Sequence, residues 1–427
     1  MAVIRPFHGL RYAPAAGPLE DLVAPPYDVL SQQDRDAYAR KNPHNIVHLT
    51  LPEQHPDDRS KFVKYGRSAA ALAQWRRDGV LRPEETATFY RYSQTFALPG
   101  TGETFTRVSL IGLIKVEPYD KGVVLPHEQT FPKHKEDRLR ILEATRSHLE
   151  CIFGLFEDPG RTVFDLISGA MGIEGAQVTT DDGVEHILER IDDPETVASI
   201  SHALADKKVW IADGHHRYET ALAFRQALGD REGLVAEDFM MMALSSMSDP
   251  GLVLLPTHRV VSKLEVNENQ IDNVLQAHFH VRKASNAQLP EELASLGASG
   301  STAFGVALPS GIGLVLTLED REKASELIDA EESPGLKSLD VTILHRLIFE
   351  RVLGIKGLEG IAYTRDANEA IEAVSQGAAA SFLMNPPTVD DMRRIALGGE
   401  KMPQKSTYYY PKILSGLVLW SLGDWEG

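Results

Sequence analysis

Apolar residues recur at two spacings along this chain, and their exchange predicts short strands alternating with amphipathic helices. Residues 45–51, Asn-Ile-Val-His-Leu-Thr-Leu, read as a strand. Residues 58–78 place Phe62, Tyr65, Ala69, Leu72 and Trp75 three or four apart, the period of a helix with one buried face. Gly79 is a suitable stop for it. Strand-like runs at 86–98 and 104–116 flank the turn residues 99–103 and predict a hairpin. A strand running into a loop follows at 123–130, then a helix over 136–147 and a strand in the apolar run 151–156. Residues 158–206 read as a mixed segment with helices near 185–191 and 194–205. The compact run 208–212 is a buried strand that stops at Asp213-Gly214, and a helix runs from about His216 to Leu228.

From residue 262 onward the same mixture repeats. Ser338 suits the N-cap of a helix carrying Val341, Leu344, Ile348 and Val352 on one face. Residues 405–412 precede a strand-like apolar run at 413–422. The class these elements predict is α/β, in the mixed α+β sense.

Composition narrows the picture. With 427 residues, 43% of them hydrophobic and 25% charged, the chain can bury ordinary cores in two or three units. Its single cysteine, Cys151, excludes an intrachain disulfide and cysteine-rich zinc modules, and its apolar setting reads as a buried thiol. No window of apolar residues is long enough for a membrane span, and the first residues do not read as a signal peptide, so a cytoplasmic location is expected. The net charge of −17 argues against nucleic acid as the partner, because duplex binding needs concentrated positive charge. A small anionic substrate remains open, since a pocket's field can differ from the global charge.

The sharpest chemical signal is the order strand, Asp213-Gly214-His215-His216-Arg217, helix. Gly214 permits a positive φ or a close backbone approach. A helix starting there aims its first N–H groups at the turn and attracts anions. His215, His216 and Arg217 add donors, and Arg217 can fork onto two phosphate oxygens. Asp213 can hold Mg²⁺ or orient a hydroxyl. The alternative is structural, an Asp-Gly turn or a plain N-cap. A zinc pair is disfavoured, because adjacent histidines on a helix point about 100° apart.

Two further clusters carry candidate chemistry. In Pro126-His127-Glu128-Gln129 a loop carboxylate can accept a proton from an attacking hydroxyl. His127-Glu128 does not open a zinc-protease helix, since Phe131 stands where that motif needs His. Lys405-Ser406-Thr407 offers one cation and two hydroxyls to a carboxylate or phosphate. Taken alone, Glu128 reads as a solvated loop acid and 405–407 as a polar loop. Asp28, Glu136 and Asp137 are the reserve acids. The P-loop, protein-kinase and Gly-x-Ser-x-Gly signatures are absent, and Gly100-Gly102 and Gly311-Gly313 lack the third glycine of a dinucleotide loop.

Together, Arg5-Pro6-Phe7, Ala24-Pro25-Pro26-Tyr27-Asp28-Val29, Leu125-Pro126-His127-Glu128, residues 212–221 and Lys405-Ser406-Thr407-Tyr408 resemble the bacterial DUF1015 family over nearly the whole chain. Pro-His-Glu-Gln, Asp-Gly-His-His-Arg and the late Lys-Ser-Thr also resemble, in the same order, motifs of archaeal free-serine kinases. That resemblance implies a ParB/sulfiredoxin-like core with N-terminal and C-terminal additions. It divides the chain into 1–120, a phosphate-binding core at 121–260 with an insertion near 150–205, and 261–427, which contributes to the site. It further implies transfer of a phosphoryl group to free L-serine, giving O-phosphoserine. Glu128 would be the base, with Asp213 and His216 also catalytic. Gly214, His215 and Arg217 would hold the donor's phosphates, and Lys405, Ser406 and Thr407 the serine. Mg²⁺ on Asp213 and a donor among ADP, ATP and pyrophosphate complete the expectation. The alternative reading is a non-catalytic nucleotide-binding or ParB-like regulatory protein.

Overall fold

A computed structural model describes residues 2–128, 132–229, 231–318, 320–328, 332–357, 359–403 and 405–426. Gln129 and Thr130, read above as part of the loop after Glu128, and Phe131 lie outside the described residues. The fold is mixed α/β, as the residue patterns predict. The chain forms two compact units, each assembled from separated stretches. The first unit takes residues 1–126, 130–253 and 411–427, and the second takes 127–129 and 254–410.

The first unit is built on a nine-stranded mixed sheet among its described residues. Its strands are β1 (Ile4–Arg5), β2 (Phe89–Ala97), β3 (Thr104–Lys115), β4 (Val124–Leu125), β5 (Ile152–Phe156), β6 (Ile173–Thr179), β7 (Glu185–Ile191), β8 (Val209–Asp213) and β9 (Phe239–Ser246). Their order is β4-β8-β5-β9-β3-β2-β7-β6, with β1 paired to β3. All residues of β5 and β9 are buried, which is why residues 152–156 and 239–244 read as continuous apolar runs rather than alternations. The β2–β3 hairpin has the expected pairing, from Tyr90 opposite Ile111 to Ala97 opposite Thr104. Around the sheet lie α1 (Gln32–Lys41), α2 (Val63–Arg77), α3 (Pro132–Thr145), α4 (Pro194–Ala205) and α5 (His215–Ala227). Tyr218 and Ala221 of α5 share one core cluster with Ile152, Ile211 and Met242 of the central strands.

Among its described residues the second unit carries a six-stranded sheet. Its strands are β10 (His258–Val261), β11 (Phe279–Ser285), β12 (Ala303–Ala307), β13 (Ile312–Leu318), β14 (Ile361–Thr364) and β15 (Ala380–Met384). They run in the order β11-β13-β12-β15-β10-β14. Helices α6 (Leu289–Ala298) and α7 (Ala367–Ser375) place Leu289, Leu293, Ala370 and Val374 against Ala303, Val315 and Leu383.

Several local expectations are corrected. Residues 45–51 are not a strand; Val47–Thr50 is a short helix. The Asn45 side chain starts it, accepting from the Val47 N–H at 3.0 Å while donating to the Asp21 carbonyl at 2.7 Å. Such local bonding competes with ladder formation. Residues 185–191 are a strand, not a helix. Their pairing to β2 on one side and β6 on the other overrides the helix-forming Glu and Leu content.

Ser338 does not cap a helix start. It closes the turn after Pro334–Lys337, its hydroxyl donating to the Gly335 carbonyl. The apolar stripe beyond it is wound as a π-helix over Ile343–Val352, and Val341, Leu344 and Ile348 are buried as their spacing predicts, with Val352 half-buried. Within 413–422 the strand is confined to Trp420–Ser421. The rest is buried through single bridges, such as Leu419 to Leu10 and Ser415 to Ala24. Among the described residues no helix is long and apolar enough to cross a membrane.

Candidate functional site

Two of the three clusters read from the sequence belong to the second unit, and the Asp-Gly-His-His-Arg turn belongs to the first. Each is built from its own neighbours.

In the first unit β8 brings four buried residues to a half-buried Asp213. Gly214 then turns at φ 92° and ψ 26° as the N-cap of α5, which begins at His215. Both uses expected of this glycine hold. Its φ is positive, and a Cβ there would lie 2.6 Å from Ile152 Cγ2. The Asp213 carboxylate is fully engaged by the protein. Oδ1 accepts the Gly214 N–H at 2.9 Å, and Oδ2 is 2.9 Å from Lys412 Nζ. Burial alone would raise its pKa, but the charges of Lys412 and Arg217 outweigh that and hold it well below the usual carboxylate range.

Arg217 donates through Nη1 to the Cys151 carbonyl at 2.6 Å and stands 5.8 Å from the centre of the Tyr27 ring. Burial acts to discharge it, and the carboxylates of Glu150, Asp28 and Asp213 prevail and keep it charged. The Arg138 guanidinium lies 3.9 Å from the centre of the same ring. Glu150 fastens the arrangement by accepting from the Tyr27 N–H and the Ser415 hydroxyl, each at 3.0 Å. The Pro-Pro-Tyr-Asp segment near the N-terminus thus supports the arginine of the turn. Behind it lies a cavity of about 50 Å³ lined by Arg217, Thr220, Arg138, Glu150 and His148 among others, room for ordered water rather than a substrate. His215 is buried and His216 half-buried on the first turn of α5.

Lys412 is a residue that the sequence reading missed. Its carbonyl accepts from Gln94 Nε2 at 2.9 Å, and the preceding Pro411 carbonyl accepts from Arg107. Arg107 also donates to Gln94 Oε1, and both side chains are fully buried. Burial lowers the Arg107 pKa to about 10, still leaving it charged at neutral pH. The only signal in the sequence was the nearness of Lys412 to the Lys-Ser-Thr run.

In the second unit, Glu128 bridges in parallel to Met402, and Met402 N–H donates to the His127 carbonyl at 2.7 Å. Glu128 Oε1 accepts the Lys405 N–H at 3.0 Å, closing 277 residues of sequence. Lys405 takes a left-handed φ of 57°, uncommon outside glycine, which aims that N–H at the carboxylate. The buried Arg259 donates to the Lys405 carbonyl at 3.4 Å and braces the kink. The two hydroxyls of the cluster serve the protein. Ser406 donates to the Pro403 carbonyl, and Thr407 Oγ1 lies 2.8 Å from His127 Nε2. Only the Lys405 side chain of the three is exposed. Glu128 and 405–407 are therefore brought together.

Of the reserve acids, Asp137 is bound by Lys64, Tyr65 and Arg138. Burial would raise it, but Arg138 and these bonds hold it far below the usual range, so it is no base at neutral pH. Among the described residues no group of three or more His, Cys, Asp and Glu could hold a metal ion. Asp213 does not fit Mg²⁺ as it stands, because the Lys412 ammonium already neutralises the oxygen a cation would take.

Asp213 makes stability depend on pH. Its folded pKa is depressed, so its contribution is present above the unfolded value of about 4 and is lost as pH falls below it. The urea midpoint should begin to fall near pH 4 and keep falling as pH drops through the depressed folded value, and Asp213→Asn should shrink that fall. An unchanged drop in the variant would remove Asp213 from the acid response.

The molecule is thus a mixed α/β protein with a basic strand–turn–helix corner. Residues 4–342 match the family model described as a protein of unknown function (DUF1015), and the chain belongs to that family. No curated protein matches. Among solved structures, a mutant free serine kinase in complex with ADP has 13% identity and a TM-score of 0.35, covering 70% of this chain and 86% of that one. A conserved hypothetical protein from Pyrococcus furiosus has 14% identity and a TM-score of 0.33, covering 70% and 91%. SbnI with a C-terminal truncation, from Staphylococcus aureus, has 12% identity and a TM-score of 0.33, covering 71% and 85%.

Proposed function

We propose that the protein is a phosphotransferase that passes a phosphoryl group from a nucleotide or pyrophosphate to the hydroxyl of a small amino acid, free L-serine first. The observation that carries this reading is the turn at 213–217: a helix start whose N-cap is a glycine of positive φ, with a charged arginine and lysine beside it. A helix N-terminus with cations at its mouth favours phosphate. The ordered motifs shared with free-serine kinases supply the acceptor.

In this reading the turn takes the donor's phosphates, and Glu128 takes the proton of the serine hydroxyl. The serine oxygen forms a bond to phosphorus as the bond to the donor's bridging oxygen breaks, and the leaving phosphate or nucleotide carries away the electron pair. Most of the rate comes from positioning and charge neutralisation, since phosphoryl transfer asks for little covalent help.

Phosphorus NMR tests the reading directly. Protein incubated with L-serine, Mg²⁺ and each of ADP, ATP and pyrophosphate is expected to yield O-phosphoserine with at least one donor. Nucleotide binding without phosphoserine from any donor would instead favour a non-catalytic nucleotide sensor.

A further inference from the structure

The first unit holds another cavity, of about 410 Å³, whose polar wall the three clusters do not supply. Small-molecule sites commonly span about 300–1,000 Å³. The wall brings together Arg35 of α1, Glu53 and Gln54 of the loop before α2, Lys64 of α2, and Asp137 and Arg138 of α3. Arg35 is only 6% exposed. Its Nε donates to the Leu51 carbonyl and its Nη1 to Asp36 Oδ1, each at 3.0 Å, and its Nη2 bonds none of the described residues. Burying a guanidinium is costly unless its donors are used, and here one is left at the cavity wall. Glu53 Oε2 lies 3.5 Å from Arg35 Nη1, and its Oε1 accepts from none of the described residues. The loop is fixed through its main chain rather than through that carboxylate. Arg67 donates to the Glu53 carbonyl at 2.8 Å and forks onto Asp58. Lys64 gives one of its three donors to Asp137, at 2.9 Å.

We propose that this cavity binds a free α-amino acid, with Arg35 on its carboxylate and Glu53 on its ammonium. The two charges of that head group sit side by side, and so do the unused donor of Arg35 and the unused acceptor of Glu53. Charge balance points the same way. Arg35, Lys64 and Arg138 each have a carboxylate within 4 Å, so the wall carries no spare positive charge for a bare anion. A bare anion would also meet Glu53, and a bare amine would leave Arg35 Nη2 unpaired. Gln54 and the remaining Lys64 donors suit a polar side chain on the ligand. The inference uses neither the turn at 213–217 nor Glu128 nor 405–407, and it does not rest on the phosphotransferase reading.

Calorimetry on the full chain tests this with L-serine, L-glutamine and L-glutamate, each beside its counterparts lacking the amine or the carboxylate. At least one amino acid is expected to bind, and both of its truncated counterparts should bind more weakly. Glu53→Gln should cut amino-acid affinity about tenfold to a hundredfold, the range of one charge-assisted hydrogen bond, without weakening the amine-free acid. The Glu53 side chain is 53% exposed, so this variant is expected to fold as the wild type does. Arg35→Lys keeps the charge and removes the uncommitted nitrogen, and it should weaken the amino acid and the amine-free acid alike. If that chain does not fold, Glu53→Gln decides alone. The inference is overturned if none of the three amino acids binds, or if an amine-free acid binds as tightly as its parent. Binding that Glu53→Gln leaves unchanged overturns it too, and that is the result expected if serine is held only at a phosphoryl-transfer site.

Discussion

Glu128→Gln is expected to lower phosphoserine formation by about a hundredfold to ten-thousandfold while leaving donor affinity unchanged, the range for removing a general base. The substitution is a clean one for this geometry. Glu128 Oε1 accepts the Lys405 N–H, and a glutamine oxygen can accept the same bond. Shape and backbone register at Met402 are kept, while charge and basicity are lost. Steady-state turnover and donor binding, measured on the same preparation, separate the two effects. Turnover within twofold of wild type would show that another group takes the proton. Asp137 is a poor substitute, because three neighbours hold it ionised and occupied.

Gly214→Ala should destabilise the first unit by about 2–3 kcal/mol, combining a left-handed backbone penalty with a steric clash. The added Cβ would sit 2.6 Å from Ile152 Cγ2 and 3.0 Å from Ile152 Cβ. Those two parts can be told apart. Ile152→Ala removes the γ-carbon at the cost of a core cavity. In the double variant the clash part should be relieved, so the two penalties should add to less than their sum. Urea unfolding of the four chains gives the coupling. Strict additivity would leave backbone strain as the whole effect. Donor binding should fall with Gly214→Ala as well, since the displaced turn carries Asp213 and the first residues of α5.

Much of the first unit's architecture was legible from periodicity. The hairpin at 89–115, the strand before Asp213 and the helix after Gly214 each carry a strong local pattern, and each was found close to its expected limits. The errors fall where local pattern is ambiguous. Residues 185–191 contain good helix formers, and two neighbouring strands decided their state. Residues 45–51 look extended until one asparagine side chain captures the nearby backbone.

The candidate site divides in the same way. The turn at 213–217 was readable because strand, glycine and helix start are consecutive, so their geometry follows from local rules. Glu128 and 405–407 were readable only as separate motifs. The pairing of Lys412 was not readable, because its partner Asp213 is 199 residues away. Nor does a hairpin's sequence reveal that Arg107 and Gln94 will grip residues 411–412.

By itself the sequence determined the α/β class, the position of the strand–turn–helix corner and its glycine, and the residue types available there. Tertiary structure alone decided which charges meet. It returned 411–427 to the unit of residues 1–126, set Lys412 against Asp213, and folded Glu128 onto the Lys405 amide. The reason is physical: hydrophobic period and turn chemistry act over a few residues. Ion pairs and buried hydrogen bonds are chosen only once the cores have closed and water has left the groups that must find partners.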